Sequence, residues 1–174
     1  MAKHLLHRVF GTMIRAAAGR PEARAAAERA ETMLGWDDIC QFCSIMLAVP
    51  AAIACARDGD LDAARRHLAA AMRSAPVWRD TAWEAGLAEA QAALAAASGD
   101  SDTALARLQW AAGLFQQVGQ PLDAERCRRA LGLIAREPAG QDVPARPRSL
   151  AGQAGGANSS RAMLSGSRTD RPEP

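Results

Sequence analysis

Cys40 and Cys43, spaced Cys-x-x-Cys, form the sharpest chemical motif in the chain. On a helix that spacing puts two thiols about one turn apart, close enough to ligate one metal ion or to form a redox pair. A structural zinc ion takes four ligands, and no second pair follows. Cys55, His67 and Cys127 can join only if tertiary packing delivers them. The zinc-binding anti-sigma pattern sets a histidine four residues before the first cysteine, where this chain has Trp36. Cysteine is also among the most buried residue types and packs readily between helices. Core packing is therefore the first reading of the pair, with thiol-redox or metal chemistry as the alternative.

The other polar groupings read as structural. Asp58-Gly59-Asp60-x-Asp62 begins like a calcium loop but lacks the remaining ligands and the distal glutamate, so helix capping explains it. His67 lies between Arg66 and Leu68 with no acid–nucleophile pairing nearby and is expected to be solvated or interfacial. Asp80, Glu84 and Glu89 fall on the polar side of a helical segment, the usual place for a solvated face. Arg126, Arg128 and Arg129, with Arg146 and Arg148, are too sparse and too poor in interleaved aromatics for a nucleic-acid stripe.

Composition removes several classes of enzyme. The chain has 174 residues and a formal charge of +2, and Lys3 is its sole lysine. A Walker-A loop and a Schiff-base or kinase lysine are thereby excluded or disfavoured. A charge so near zero argues for neither nucleic acid nor membrane. No apolar run is long enough for a transmembrane helix. Residues 2–20 have the look of a basic amphipathic leader, but Arg8 and Arg15 interrupt the apolar core a secretory signal needs, and a first packed helix is the simpler reading. Four cysteines without such a signal suggest reduced thiols and a cytoplasmic location.

The elements that position these residues are helices almost throughout. Alanine dominates, and β-branched residues are few. Apolar spacing predicts helices over 3–18, facing inward through Leu6, Val9/Phe10, Met13 and Ala17, and over 21–34, through Ala23, Ala27, Ala30 and Leu34. A third runs over 37–57, capped by Asp37 or Asp38 and kinked or divided by Pro50 near Val49. Further helices follow over 61–74 (Leu61, Ala64, Leu68, Ala71, Met72), 79–97 (Trp83, Leu87, Ala90, Leu94), 102–118 (Leu105, Leu108, Ala112, Phe115) and 121–136. From Pro138 onward Pro, Gly and Ser crowd the sequence. A helical domain over 1–137 and a disordered tail over 138–174 are expected.

Two stretches repeat each other at an offset of forty residues. ARDGDLDAARRHLAAA (56–71) aligns with AASGDSDTALARLQWA (96–111), sharing Gly59/Gly99, Asp60/Asp100, Ala64/Ala104, Leu68/Leu108 and Ala71/Ala111. A weaker copy, Ala23–Ala27–Ala30, precedes them. A period of this length means stacked helix pairs. The spacing resembles the second half of a tetratricopeptide repeat (TPR). The stretch GDSDTALARLQWAAGLFQQVGQPLDAERCRRAL (99–131) looks like the terminal repeats of helical regions in bacterial signalling ATPases and LuxR-type transcription regulators. The first helices depart from that pattern, with Ala48, Ala51 and Cys55, then Ala88, Gln91 and Ala95, where larger residues are expected.

The resemblance implies an all-α, TPR-like solenoid of six to seven antiparallel hairpin helices, and a non-enzymatic interaction or scaffolding module belonging to or derived from a bacterial regulator. Its partner would be another protein or domain. With only two clear repeats, self-association through an exposed end is a further expectation, and no cofactor is called for. The partner surface is assigned to Trp78, Arg79, Trp83, Glu84 and Gln91, around the start of helix 79–97.

Overall fold

Alanine-rich segments separated by Gly-Asp and Gly-x-Pro punctuation fold into seven α-helices in the computed structural model, which describes residues 2–35, 40 and 42–136. These are α1 (Ala2–Ala16), α2 (Pro21–Leu34), α3 (Ser44–Asp58), α4 (Leu61–Ser74), α5 (Ala82–Ala97), α6 (Ser101–Gln117) and α7 (Pro121–Ile134). A 3₁₀ turn, Ala75–Trp78, links α4 to α5. The fold is all-α. The caps expected at Asp37 or Asp38, and the tail from 138, lie outside the described residues.

Consecutive helices pair: α1 packs on α2, α3 on α4, and α5 on α6. The first helices α1, α3 and α5 also pack in succession, while α7 lies on α6. Three hairpins and a closing helix result, an arrangement compatible with a helical-repeat fold. The weak copy in α2 thus supplies a third unit: Ala23, Ala27 and Ala30 are buried, as are their counterparts Ala64 and Ala71, and Ala104, Leu108 and Ala111.

The forty-residue echo is geometric as well as textual. Gly59 and Gly99 both take φ +83°, a left-handed conformation that glycine adopts without steric cost. Asp60 then accepts from the Ala63 N–H at 3.0 Å, and Asp100 from the Thr103 N–H at 3.0 Å, each capping the helix that follows. The Asp60 and Asp100 N–H groups return to the carbonyls of Cys55 and Ala95.

Pro50 does not divide its segment. Helix α3 runs unbroken from Ser44 to Asp58 with Pro50 inside it. Proline has no N–H, so the carbonyl of Met46, four residues earlier, loses its helical donor. That carbonyl abuts Gly11 of α1, where a Cβ would overlap the oxygen and lie 2.9 Å from the carbonyl carbon. The proline thus frees a backbone group at the point where a glycine lets two helices come into close contact.

This crossing also decides which face of α1 is buried. His7, Phe10, Gly11, Ile14 and Ala17 turn inward, whereas Val9 and Met13, expected on the core face, are exposed. In α4 the buried line runs through Ala63, Ala64, His67, Ala71 and Ser74; Leu61 and Leu68 are only partly covered, and Met72 is exposed. The expected His67 environment is thereby corrected: the ring is 3 % exposed. Glu31, reaching across from α2 to 2.7 Å from Nε2, makes that burial tolerable.

Candidate functional site

The first helices and α7 enclose a groove of about 550 Å³. Its walls carry Arg15, Arg24, Arg57 and Arg126, opposed by Glu89 and Asp123. A second recess of about 400 Å³ shares Ile53, Arg57 and Glu89 with it and is otherwise nearly apolar, lined by small residues such as Ala92, Ala93 and Ala96. Together they form a channel with a charged end and an apolar end. Short side chains border that space, Ala54 in α3 and Ala92, Ala93 and Ala96 in α5. Ala48, Ala51 and Cys55 in α3 and Ala88 in α5 are buried where helices meet, so bulk there would push the helices apart.

Glu89 organises the charged end. It was expected on a solvated face; instead it is 6 % exposed. Arg126 of α7 grips it with both ends of the guanidinium, Nε donating to Oε1 at 2.8 Å and Nη2 to Oε2 at 2.7 Å. The fork geometry suits a carboxylate, and the pairing offsets the cost of burying it. Arg126 also donates to Asp123 and stacks 5.8 Å from the Phe115 ring centre. The hydrogen bonds it donates to Glu89 are the main reason the Arg126 guanidinium holds its proton more tightly than usual. Arg15 approaches Asp123 at 4.0 Å and lies 5.2 Å over Trp83. Burial pushes its pKa down, and nearby Glu89 opposes that shift.

Arg24 reaches from α2 to Asp60 at 2.8 Å and to Glu28 at 3.2 Å. Its Nη1 is buried with no hydrogen-bond acceptor from the protein. Five arginines line this groove (Arg15, Arg20, Arg24, Arg57 and Arg126) against three acids, Asp58, Glu89 and Asp123. Glu89 and Asp123 are engaged by Arg126, and Arg24 by Asp60 and Glu28, so the positive character of the wall lies in the exposed Arg20 and Arg57.

A second cluster joins distant segments. His4, in the first turn of α1, places Nδ1 3.0 Å from Sγ of Cys43, and the ligand atoms of His4, Cys40 and Cys43 all lie within 4.8 Å of one another. Cys43 is the residue before α3, and its N–H turns back to the Cys40 carbonyl at 3.2 Å. The two other cysteines stand apart. Burial raises the Cys55 thiol to about 11 and that of Cys127 to about 12. Both pack in the core as small apolar groups.

The residues assigned to a partner surface fall elsewhere. Trp78 and Trp83 meet edge to face, with ring centres 6.4 Å apart, and pack on the core between α3, α4 and α5. Glu84 accepts from the Asp80 N–H at 2.6 Å, which closes the start of α5 together with the Thr81 cap. Arg79 is exposed and Gln91 half-buried. None of the five lines the channel; Trp83 touches it through Arg15. His4, Glu89 and Arg24 went unnoticed as site residues because each acquires its role from a partner more than thirty residues away.

No protein-family model, curated protein or solved structure matches the chain. The functional reading therefore rests on the geometry of this chain.

Proposed function

We propose that the chain is a non-enzymatic, TPR-like interaction module, of the kind found in bacterial regulators, whose channel receives an extended acidic segment of another protein. The excess of arginine along the α1–α3–α5–α7 groove carries this reading. Carboxylates of the incoming segment would pair with the exposed Arg57 and Arg20, and an adjacent apolar residue would fill the alanine-lined recess. A volume of about 550 Å³ is in the range that holds a few peptide residues rather than a nucleic-acid duplex. The pairing of Glu89 and Asp123 with Arg126 keeps the floor of the groove fixed before the partner arrives, which lowers the ordering cost of binding.

The test is titration of the purified chain with glutamate-rich peptides bearing one leucine or phenylalanine, followed by tryptophan fluorescence, since Trp83 senses Arg15. Saturable binding that weakens with salt, and falls about tenfold or more in Arg57→Glu, supports the reading. Equal binding by a scrambled basic peptide, or none by any acidic one, overturns it. Preference for an oligonucleotide over the peptides would place the chain among nucleic-acid binders instead.

A further inference from the structure

We infer that His4, Cys40 and Cys43 form a binding site for a thiophilic d¹⁰ cation, Zn²⁺ or Cu⁺, that clamps the start of α1 to the entry of α3. The three donors come from two separate segments: His4 is an exposed residue in a first turn, 39 residues from Cys43. Their ligand atoms lie within 4.8 Å of one another. With metal–sulfur bonds of about 2.3 Å and metal–nitrogen bonds of about 2.0 Å, a tetrahedral ion needs its sulfurs about 3.8 Å apart and nitrogen and sulfur about 3.5 Å apart. Small side-chain adjustments reach that arrangement. The His4–Cys43 contact of 3.0 Å would open slightly as the ion enters.

The donor set selects the ion. One imidazole and two thiolates are soft to borderline ligands that favour zinc or cuprous copper over calcium or magnesium. Coordination by Nδ1 leaves the ring proton of His4 on Nε2. Each thiol loses its proton on ligation, so two protons leave per ion bound. Cys43 sits at the N-terminal end of α3, whose dipole favours a negative sulfur there. Zinc would hold water in its fourth position, whereas cuprous copper is satisfied by the three donors.

The experiment uses the full chain, reduced and freed of metal, titrated separately with Zn²⁺ against a chromophoric chelator and with Cu⁺ under anaerobic conditions. The expected result is one ion per chain in at least one arm, release of two protons, and protection of Cys40 and Cys43 from alkylation. His4→Ala should weaken binding more than about tenfold while helicity by circular dichroism is unchanged. Cys43→Ser should abolish it. Binding in neither arm overturns the inference, and so does binding that His4→Ala leaves intact, because a two-thiol site would not need α1. Peptide binding in the groove is measured independently of either outcome.

Discussion

The Glu89–Arg126 pair gives the sharpest test of how this fold tolerates charge in its interior. Arg126→Ala would leave the Glu89 carboxylate, with only 7 % of its side chain exposed, facing α7 without its partner. Removing one member of a fully buried pair costs about 3–5 kcal/mol. Two features of this site lower that figure. Arg126 is itself 40 % exposed, so water can follow the truncation, and the charge of Arg15 is felt at Glu89. A loss of about 2–3 kcal/mol is therefore expected. Glu89→Gln is the milder change: the guanidinium left behind keeps Asp123 and partial hydration, and the amide still accepts one hydrogen bond, for a cost of about 1 kcal/mol. Replacing both residues by methionine removes the uncompensated charge and should cost less than Arg126→Ala alone. Urea unfolding followed by circular dichroism measures all three, with unchanged slopes required for the comparison. If Arg126→Ala costs no more than Glu89→Gln, or if the double variant is the least stable, the pair is not a desolvated clasp and the reasoning fails.

Three further outcomes follow from the same geometry. Gly11→Ala should destabilise by about 1–3 kcal/mol because its Cβ meets the Met46 backbone, whereas Gly113→Ala, with open space around its Cβ in α6, should stabilise by about 0.5–1 kcal/mol; thermal melts of the two variants should move in opposite directions. Burial, only partly opposed by Glu31, holds the His67 pKa below its usual 6.5. The unfolded chain therefore takes up a proton first, and stability, fully present above about pH 6.5, declines as pH falls from there toward the lower folded value, by up to about 1.4 kcal/mol per pH unit; a slope unchanged in His67→Gln would show that another group is responsible. Asp100→Ala should cost about 1 kcal/mol as a lost cap, and Asp60→Ala more, since Asp60 also holds Arg24; equal losses in denaturant unfolding would mean that the Arg24 contact contributes nothing.

What could be read from the sequence was what is local. Gly59-Asp60 and Gly99-Asp100 announce their turns because a left-handed residue and a cap are needed within two positions of each other. The alanine stripes of α2, α4 and α6 are likewise visible as spacing along one helix. Whether Pro50 divides its helix is not local: its cost there depends on where the freed Met46 carbonyl goes, and that carbonyl lies against Gly11, 35 positions before Met46 in the chain. His67 reads as solvated or interfacial and Glu89 as solvated because a helical wheel reports polarity and cannot report a partner on another helix. In α4 the wheel favoured Met72 over His67 on hydrophobicity alone, and the Glu31 carboxylate reversed the order.

These long-range partners share a spacing. Arg24 meets Asp60 at a separation of 36, Arg126 meets Glu89 at 37, and His4 meets Cys43 at 39. Glu31 and His67 join α2 to α4 at a similar distance in the chain. Each separation is close to one repeat, as stacking requires: a side chain on one hairpin faces the same neighbourhood on the next. The polar ties fall on particular junctions. Arg24–Asp60 and Glu31–His67 link the first hairpin to the second, and Glu89–Arg126 links the third to α7. The junction between the second and third is built around an apolar cluster of Ile45, Val49, Ala52, Ala71, Leu87 and Ala90. Charged pairs discriminate strongly between registers, because a slip by one turn leaves a buried charge unpaired, while alanine against alanine tolerates such a slip. The outer junctions are therefore fixed by electrostatics and the central one by shape. In an alanine-rich stack whose packing surfaces are so alike, the polar ties set the first hairpin on the second and α7 on the third, and with them Arg24 and Arg126 along the groove.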